Sequence, residues 1–490
     1  MDKLTPLKPV PSLIAVVVTL LIWFVIPVPE GVEPNAWQLL ALFIGTIIAI
    51  IGKAMPIGAV SVVAIALVAV TGVTNPGKPG AALGDALSGF SNPLIWLIGF
   101  SIMISLSLNK TGLGGRIGYY FISLFGKKTL GIAYALTLAE TTLAPVTPSN
   151  TARGGGIIHP IMKSIADSFG SSPGLNTSGK IGRYLALVNY NINPITSAMF
   201  ITATAPNPLV VSLIAKGTHD SVELSWGMWA LAALVPGLCS LIVMPLVVYF
   251  LYPPEIKSTP DAPDFAKRQL QALGPVTLPE KITLAVFALL LVLWAGIPAM
   301  IFGPALAVNP TTAALIGLAI LLASGVLSWD DILRQKGAWD TVVWFSALVM
   351  MATYLGKLGL INWLSQTVGA GIAHMGMSWV GGTLLLTLVY LYSHYFFAST
   401  TAHVTAMFAA FFAAGVALGA PPALLGLILA FSSSLMMSLT HYATGTAPII
   451  FGSGYSTLGE WWKTGLVMSV VNLLIWLTLG AAWWKWLGYW

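Results

Sequence analysis

Charge is what this sequence is short of. Of its 490 residues 8% are Asp, Glu, Lys or Arg and 57% are hydrophobic, where a soluble domain carries about 25% charged residues. So few charges cannot cover a water-facing surface, and the chain reads as an all-α polytopic membrane protein. Cysteine is nearly missing as well. Cys239, alone in an apolar run, excludes an internal disulfide, and a packed thiol is its ordinary role. No phosphate-binding glycine loop, nucleophile elbow or dinucleotide fingerprint stands in a credible context, and no His, Cys and carboxylate set has metal-ligand spacing. These gaps argue against an ATP-driven pump and against a membrane enzyme, so no catalytic residue, metal or other cofactor is expected. The net charge of +6 comes from scattered Lys and Arg with no basic, aromatic-interleaved block. It is assigned to cytoplasmic loops, and nucleic acid is not an expected partner.

What is present is a series of apolar runs, each to be compared with the ~20 residues that cross a bilayer. They cover 12–27, 36–51, 56–73 and 93–125, then a short pair at 130–148 and 152–162, then 184–215 and 226–252. A polar linker occupies 253–281. The second part has runs at 282–302, 311–327 and 341–373, a second short pair at 379–398 and 402–418, then 422–451 and 464–486. The first run follows Lys3 and Lys8 and ends in Pro27-Val28-Pro29-Glu30, not in small residues. It therefore reads as a retained span and not as a signal peptide. Taking each short pair as a re-entrant hairpin places Lys53, Lys127, Lys128, Lys163, Lys180, Arg183, Lys257, Lys267, Arg268, Lys281, Arg334, Lys336 and Lys463 inside and Glu30, Glu33, Lys78, Lys216, Asp220 and Glu223 outside. The expected layout is about eleven transmembrane helices plus two hairpins, with the N-terminus cytoplasmic and the C-terminus outside. Four segments follow: 1–35, the N-terminal end and first helix; 36–252, a first repeat; 253–281, a cytoplasmic linker; and 282–490, a second repeat.

Two polar stretches break the apolar pattern. Thr147-Pro148-Ser149-Asn150-Thr151-Ala152-Arg153 lies between the members of the first short pair, and Ala398-Ser399-Thr400-Thr401-Ala402-His403 between those of the second. They align without a gap. Two further matches keep the same order: Asn109-Lys110-Thr111-Gly112-Leu113 with Gly356-Lys357-Leu358-Gly359-Leu360, and Thr202-Ala203-Thr204-Ala205-Pro206 with Thr444-Gly445-Thr446-Ala447-Pro448. An odd number of crossings between equivalent points makes such repeats inverted, a common plan of secondary transporters with a site near the midplane.

The breaks at Pro148 and at Pro206-Asn207-Pro208 free backbone groups that only protein or a wet cavity can satisfy. Helix starts there attract carboxylates. Ser149, Asn150 and Thr151, with Ser399, Thr400 and Thr401, add short-range donors and acceptors. Either cluster alone would read as helix-to-helix hydrogen bonding. Arg153 is the sharpest signal, because a guanidinium near the bilayer centre costs at least about 2.5 kcal/mol. A bidentate grip on a substrate carboxylate is the favoured reason; snorkelling and pairing with Glu140 are the alternatives. His403, aligned with Arg153, is a second cation, a proton carrier or a packed histidine. His159, His394 and His441 are left as structural.

At these residues the sequence resembles the divalent anion:sodium symporter family. Pro148-Ser149-Asn150-Thr151-Ala152-Arg153 is similar to its first Ser-Asn-Thr signature and Ser399-Thr400-Thr401 to its second, with Gly112-Leu113-Gly114-Gly115-Arg116 and Tyr442-Ala443-Thr444-Gly445-Thr446 extending the likeness over nearly the whole chain. The nearest branch is that of bacterial citrate/succinate and tartrate/succinate antiporters and the plastid 2-oxoglutarate/malate translocator. The resemblance implies a homodimeric carrier of di- or tricarboxylates in the bacterial inner membrane, with a scaffold and a transport domain in elevator motion. It places substrate at both hairpin tips and at breaks completed by Thr204, Pro206, Thr446 and Pro448. The chain departs from the sodium-coupled pattern: Thr400 replaces the second Asn, Pro145 stands one turn before the first motif, and Arg153 and His403 follow the motifs. A fixed cation that crosses empty at a penalty implies sodium-independent, obligatory exchange. A sodium-coupled symporter and an anion channel are the competing readings.

Overall fold

Proline opens many of the helices, where its missing N–H costs nothing and its fixed φ is already helical. It stands in the first turn of Pro34–Ile51, Pro93–Thr111, Pro206–Gly217, Pro310–Ala323 and Pro422–Leu435. Side-chain caps start others: Asn92 before Pro93–Thr111, Ser225 before Trp226–Leu251, and a capping box of Thr277 and Glu280 at Leu278–Trp294. Glycine stops two of them in the same way. Gly112 (φ 78°) ends Pro93–Thr111 and Gly359 (φ 84°) follows Lys336–Lys357, and each is followed at once by another helix, Leu113–Phe125 and Leu360–Ala373. The apolar runs 93–125 and 341–373 are thus two helices each, bent where a left-handed residue is needed.

This computed structural model describes residues 7–373 and 376–490. The start of the expected N-terminal end, including Lys3, and residues 374–375 of the expected second repeat lie outside the described residues. Those described are all-helical, with one isolated bridge and no strand. Among the described residues six helices are long and apolar enough to cross a membrane, and further apolar helices are shorter. Large apolar side chains such as Phe24, Val70, Phe250, Met300 and Phe302 face outward, as lipid contact requires.

The helices gather into two bodies. One contains Pro34–Ile51, Ile57–Thr71, Pro93–Thr111, Leu278–Trp294, Pro310–Ala323 and Lys336–Lys357, packed on one another. The other is built on Gly182–Met199, which meets Thr129–Leu143, His159–Ser168, Trp226–Leu251 and Pro422–Leu435. Thr400–Ala417 joins the second body through Pro206–Gly217 and Pro422–Leu435.

The polar linker is a structured strap. Thr129 N–H donates to Lys257 O (3.1 Å) and Thr259 N–H to Lys127 O (2.9 Å), pairing Lys128 with Ser258 as a short antiparallel bridge. Its helix Ala262–Ala272 packs on Leu113–Phe125, and Arg116 fixes the linker's end by donating to Glu280 Oε1 (2.7 Å) and Gly274 O (3.0 Å).

Candidate functional site

Each short pair is a helix, a 3-10 turn, a few extended residues and a returning helix. In the first, Thr129–Leu143 and Ala144–Val146 lead to a break before the π-helical Thr151–Ile158, which continues as His159–Ser168. In the second, Trp379–Tyr392 and Ser393–Phe396 lead to a break before Thr400–Ala417. Ser149 Oγ accepts from Ala152 N–H (3.2 Å) and Ser399 Oγ from Ala402 N–H (3.3 Å), so the two serines cap the returning helices alike.

The long runs 184–215 and 422–451 are also broken. Gly182–Met199 stops, a 3-10 turn covers Ile201–Ala203, and helix resumes at Pro206. Pro422–Leu435 stops, Met436–Ser438 is a 3-10 turn, and helix resumes at Thr446. The first turns match: Asn207 N–H donates to Thr204 O and Ala447 N–H to Thr444 O. Thr204 therefore corresponds to Thr444 and Ala203 to Ala443, a register two residues away from the one the Thr-x-Thr-Ala-Pro motif suggests.

The four breaks meet at one cavity of about 400 Å³. Pro148, Ser149, Asn150, Thr151 and Ala152 line it from the first tip, and Ala398, Ser399, Thr400 and Thr401 from the second. Thr204, Ala205, Pro206, Thr444 and Gly445 come from the broken helices. The opposing wall comes from the other body: Ile102, Ser105, Leu106, Asn109, Gln335, Gly337 and Thr341. Among the described residues, no charged side chain lines it. The hydroxyls of Ser149, Thr151, Thr204, Ser399 and Thr401 donate to no acceptor among the described residues, so their hydrogens are available to a ligand. Asn150 is committed elsewhere: its Nδ2 donates to Thr444 Oγ1 (2.8 Å), tying the first tip to the second break. Gly445 lets these approach, since a Cβ there would sit 2.7 Å from Thr151 Oγ1.

Four expected contact residues lie outside this wall. Arg153 is fully buried behind the first tip, where Nε donates to Glu140 Oε1 (2.7 Å), Nη1 to Thr147 O (2.6 Å) and Ala203 O (2.9 Å), and Nη2 to Ser197 Oγ (3.0 Å). The pairing with Glu140, and not a substrate carboxylate, is what meets its charge here. Asn193 Nδ2 donates to the same Glu140 oxygen (2.8 Å) and to Asn150 O (3.0 Å), extending the network to the tip. His403 is buried between Phe397 and Tyr390, ring centroids 4.5 and 4.7 Å away, and its Nδ1 lies 2.9 Å from Nδ1 of His394. His394 Nε2 lies 3.0 Å from Ala443 O and donates to it. The breaks' equivalent carbonyls, Ala203 and Ala443, are thus both held by side chains of the hairpins, through an arginine–carboxylate pair in one half and a histidine pair in the other. Thr446 and Pro448 fall beyond the second break, in the helix it starts, because of the two-residue shift in register. The sequence reading missed Ser105, Asn109, Gln335 and Thr341. Ser105, Gln335 and Thr341 carry no motif, and Asn109 opens the repeated Asn109-Lys110-Thr111-Gly112-Leu113, where only helix periodicity could have pointed to a shared face.

The chain matches the family described as the sodium:sulfate symporter transmembrane region over residues 8–490. The chain belongs to this family, the divalent anion:sodium symporters that its tip sequences resemble. The family is one of membrane transporters and not of enzymes. Among its relatives are a protein named putative malate transporter YflS of Bacillus subtilis, 51% identical over all of this chain and 98% of that one, and dicarboxylate transporter 1, chloroplastic, of Arabidopsis thaliana, 45% identical over 98% of this chain and 83% of that one. The fold is shared more widely. The crystal structure of the YdaH transporter of Alcanivorax borkumensis superposes with a TM-score of 0.56 at 12% identity, covering 82% of this chain and 87% of that one. MtrF of Neisseria gonorrhoeae gives 0.54 at 13%, covering 96% and 94%.

Proposed function

We propose that the protein exchanges di- or tricarboxylates across the bacterial inner membrane without sodium, by elevator motion of the body that carries the tips past the other body. The observation that carries this reading is the cavity wall itself: uncommitted hydroxyls, starts of returning helices and no acidic side chain, a set that offers donors to an anion and nothing to repel it. Relatives named as malate and dicarboxylate transporters support carboxylates as the class. Sodium independence is supported by the oxygens a sodium ion would otherwise use at the breaks. Thr147 O and Ala203 O accept from Arg153, and Ala443 O accepts from His394.

Exchange needs a different argument from a naked cation, because Glu140 already balances Arg153. An empty cavity must cross with its hydroxyls and helix starts unsatisfied, whereas a bound dicarboxylate satisfies them. The same reading has inverted repeats at 36–252 and 282–490, a homodimer, a cytoplasmic N-terminus and an outward C-terminus.

The test is uptake of labelled succinate or malate into proteoliposomes, with and without internal dicarboxylate and with and without sodium. Uptake should require internal dicarboxylate and ignore sodium. Equal uptake into empty vesicles refutes exchange, a sodium requirement selects the symporter, and unsaturable conductance selects the channel. Competition by unlabelled malate, 2-oxoglutarate, tartrate and citrate then ranks the substrates.

A further inference from the structure

The cavity has two walls of different origin. The tips and breaks belong to the body built on Gly182–Met199, whereas the facing wall comes from Pro93–Thr111 and the start of Lys336–Lys357, which pack together in the other body. On that facing wall the hydroxyls have spent their hydrogens: Ser105 Oγ donates to Ile102 O (2.8 Å) and Thr341 Oγ1 to Gly337 O (2.7 Å). Toward an anion they present lone pairs only. The side-chain donors left are the amides of Asn109 and Gln335, and neither makes a hydrogen bond among the described residues. Both stand at the mouth. Asn109 adjoins Lys110, whose ammonium is tied to Asp331, and Gln335 adjoins the exposed Lys336.

We infer that Asn109 and Gln335 form a subsite for the distal carboxylate of a bound dicarboxylate, made only while the cavity faces this wall. The inference rests on the transport reading above. A first carboxylate engages the tip hydroxyls, and the second reaches across and takes amide N–H groups from the opposing body. When the tip-bearing body moves, those contacts stay behind. The amides therefore strengthen binding from one side of the membrane only, and they favour two-headed over one-headed acids on that side.

The test uses Asn109→Ala, Gln335→Ala and the double variant, with the near-isosteric Asn109→Asp and Gln335→Glu as a second set that adds repulsion. Half-saturating dicarboxylate is measured from each face of oriented proteoliposomes. The face nearer the mouth is identified by labelling Lys336→Cys, in a Cys239→Ser background, with a membrane-impermeant thiol reagent. A hydrogen bond to a charged group corresponds to roughly tenfold or more in affinity. The expected result is a rise of about that size in the half-saturating concentration on the labelled face, larger for the acidic variants, with the other face unchanged. An equal shift on both faces, or none on either while the wild type exchanges, overturns the subsite and leaves the transport reading intact. A wild type that moves no carboxylate overturns the transport reading, and this one with it.

Discussion

Replacing Arg153 by Met separates the two roles a buried guanidinium can have. In the structure its side chain and that of Glu140 are both at 0% exposure, and Glu140 Oε1 also accepts from Asn193 and Thr196. Removing the arginine leaves a buried carboxylate without its counter-charge, a loss of about 3–5 kcal/mol. It also orphans the carbonyls of Thr147 and Ala203, at about 1–3 kcal/mol each. Removing both partners, Arg153→Met with Glu140→Met, eliminates the first cost, keeps the second, and takes one acceptor each from Asn193 and Thr196, which retain Asn150 O and Asn193 O. The order of thermal stability in detergent should therefore be wild type, then the double variant, then Arg153→Met, with the two variants separated by about 3 kcal/mol or more. Glu140→Gln should behave like Arg153→Met, since it strands the opposite charge. Unfolding followed by tryptophan fluorescence and by gel filtration of the heated protein reads this order. An Arg153→Met protein that melts like the wild type yet no longer binds dicarboxylate would refute the structural role and return Arg153 to the site.

Other substitutions follow from the same geometry. Thr401→Ala removes a free hydroxyl from the cavity and should raise half-saturating dicarboxylate about tenfold or more with little effect on stability, whereas Ser149→Ala should do the same and also lose a helix cap worth about 0.5–2 kcal/mol, read by exchange kinetics and thermal unfolding. Gly445→Ala places a methyl 2.7 Å from Thr151 Oγ1, and Gly154→Ala places one 2.7 Å from Asn193 Nδ2. Both should wedge the first tip from its neighbours and lower the maximal rate, with Gly→Ser at either site worse. The hydrogen bond from Lys110 holds the Asp331 carboxyl down to about 2, from an ordinary 3.8. A depressed pKa stabilises fully above the ordinary value and is lost as pH falls toward 2, so this tie is constant between pH 5 and 8. Wild type and Asp331→Asn should then show parallel pH profiles of exchange across that window, and divergence would show that Asp331 titrates within it.

How far the sequence could be read depended on how local each signal was. The tips were legible because Pro148 and a run of small polar residues interrupt apolar sequence, and a break in a buried helix has to be capped; Ser149 and Ser399 do so. The pairing of Asn109-Lys110-Thr111-Gly112 with Gly356-Lys357-Leu358-Gly359 was legible because a left-handed glycine is required at both bends. The facing wall was not. Asn109 and Gln335 are ordinary polar residues at helix ends, and they become part of a site only because two bodies distant in sequence meet there. Arg153 was singled out correctly as a buried charge needing a partner, but its partner was decided by packing. Glu140, thirteen residues upstream, reaches it because the tip folds the chain back on itself.

The two-residue shift at the second break shows what equivalence between the halves consists of. Matching Thr202-Ala203-Thr204-Ala205-Pro206 letter by letter to Thr444-Gly445-Thr446-Ala447-Pro448 pairs prolines that do different things: Pro206 starts a helix, while Pro448 lies in the first turn of one begun at Thr446. What the halves share is a carbonyl, that of Ala203 or Ala443, left free where a helix stops and held by a nitrogen from the neighbouring hairpin. In the first half that nitrogen belongs to a permanent cation locked against Glu140, so releasing the carbonyl means breaking a buried ion-pair network. In the second it belongs to His394, whose partner His403 sits among rings, and Thr400 Oγ1 donates to the same carbonyl at 3.5 Å. Equivalent carbonyls are thus held by a fixed charge in one half and by an imidazole in the other.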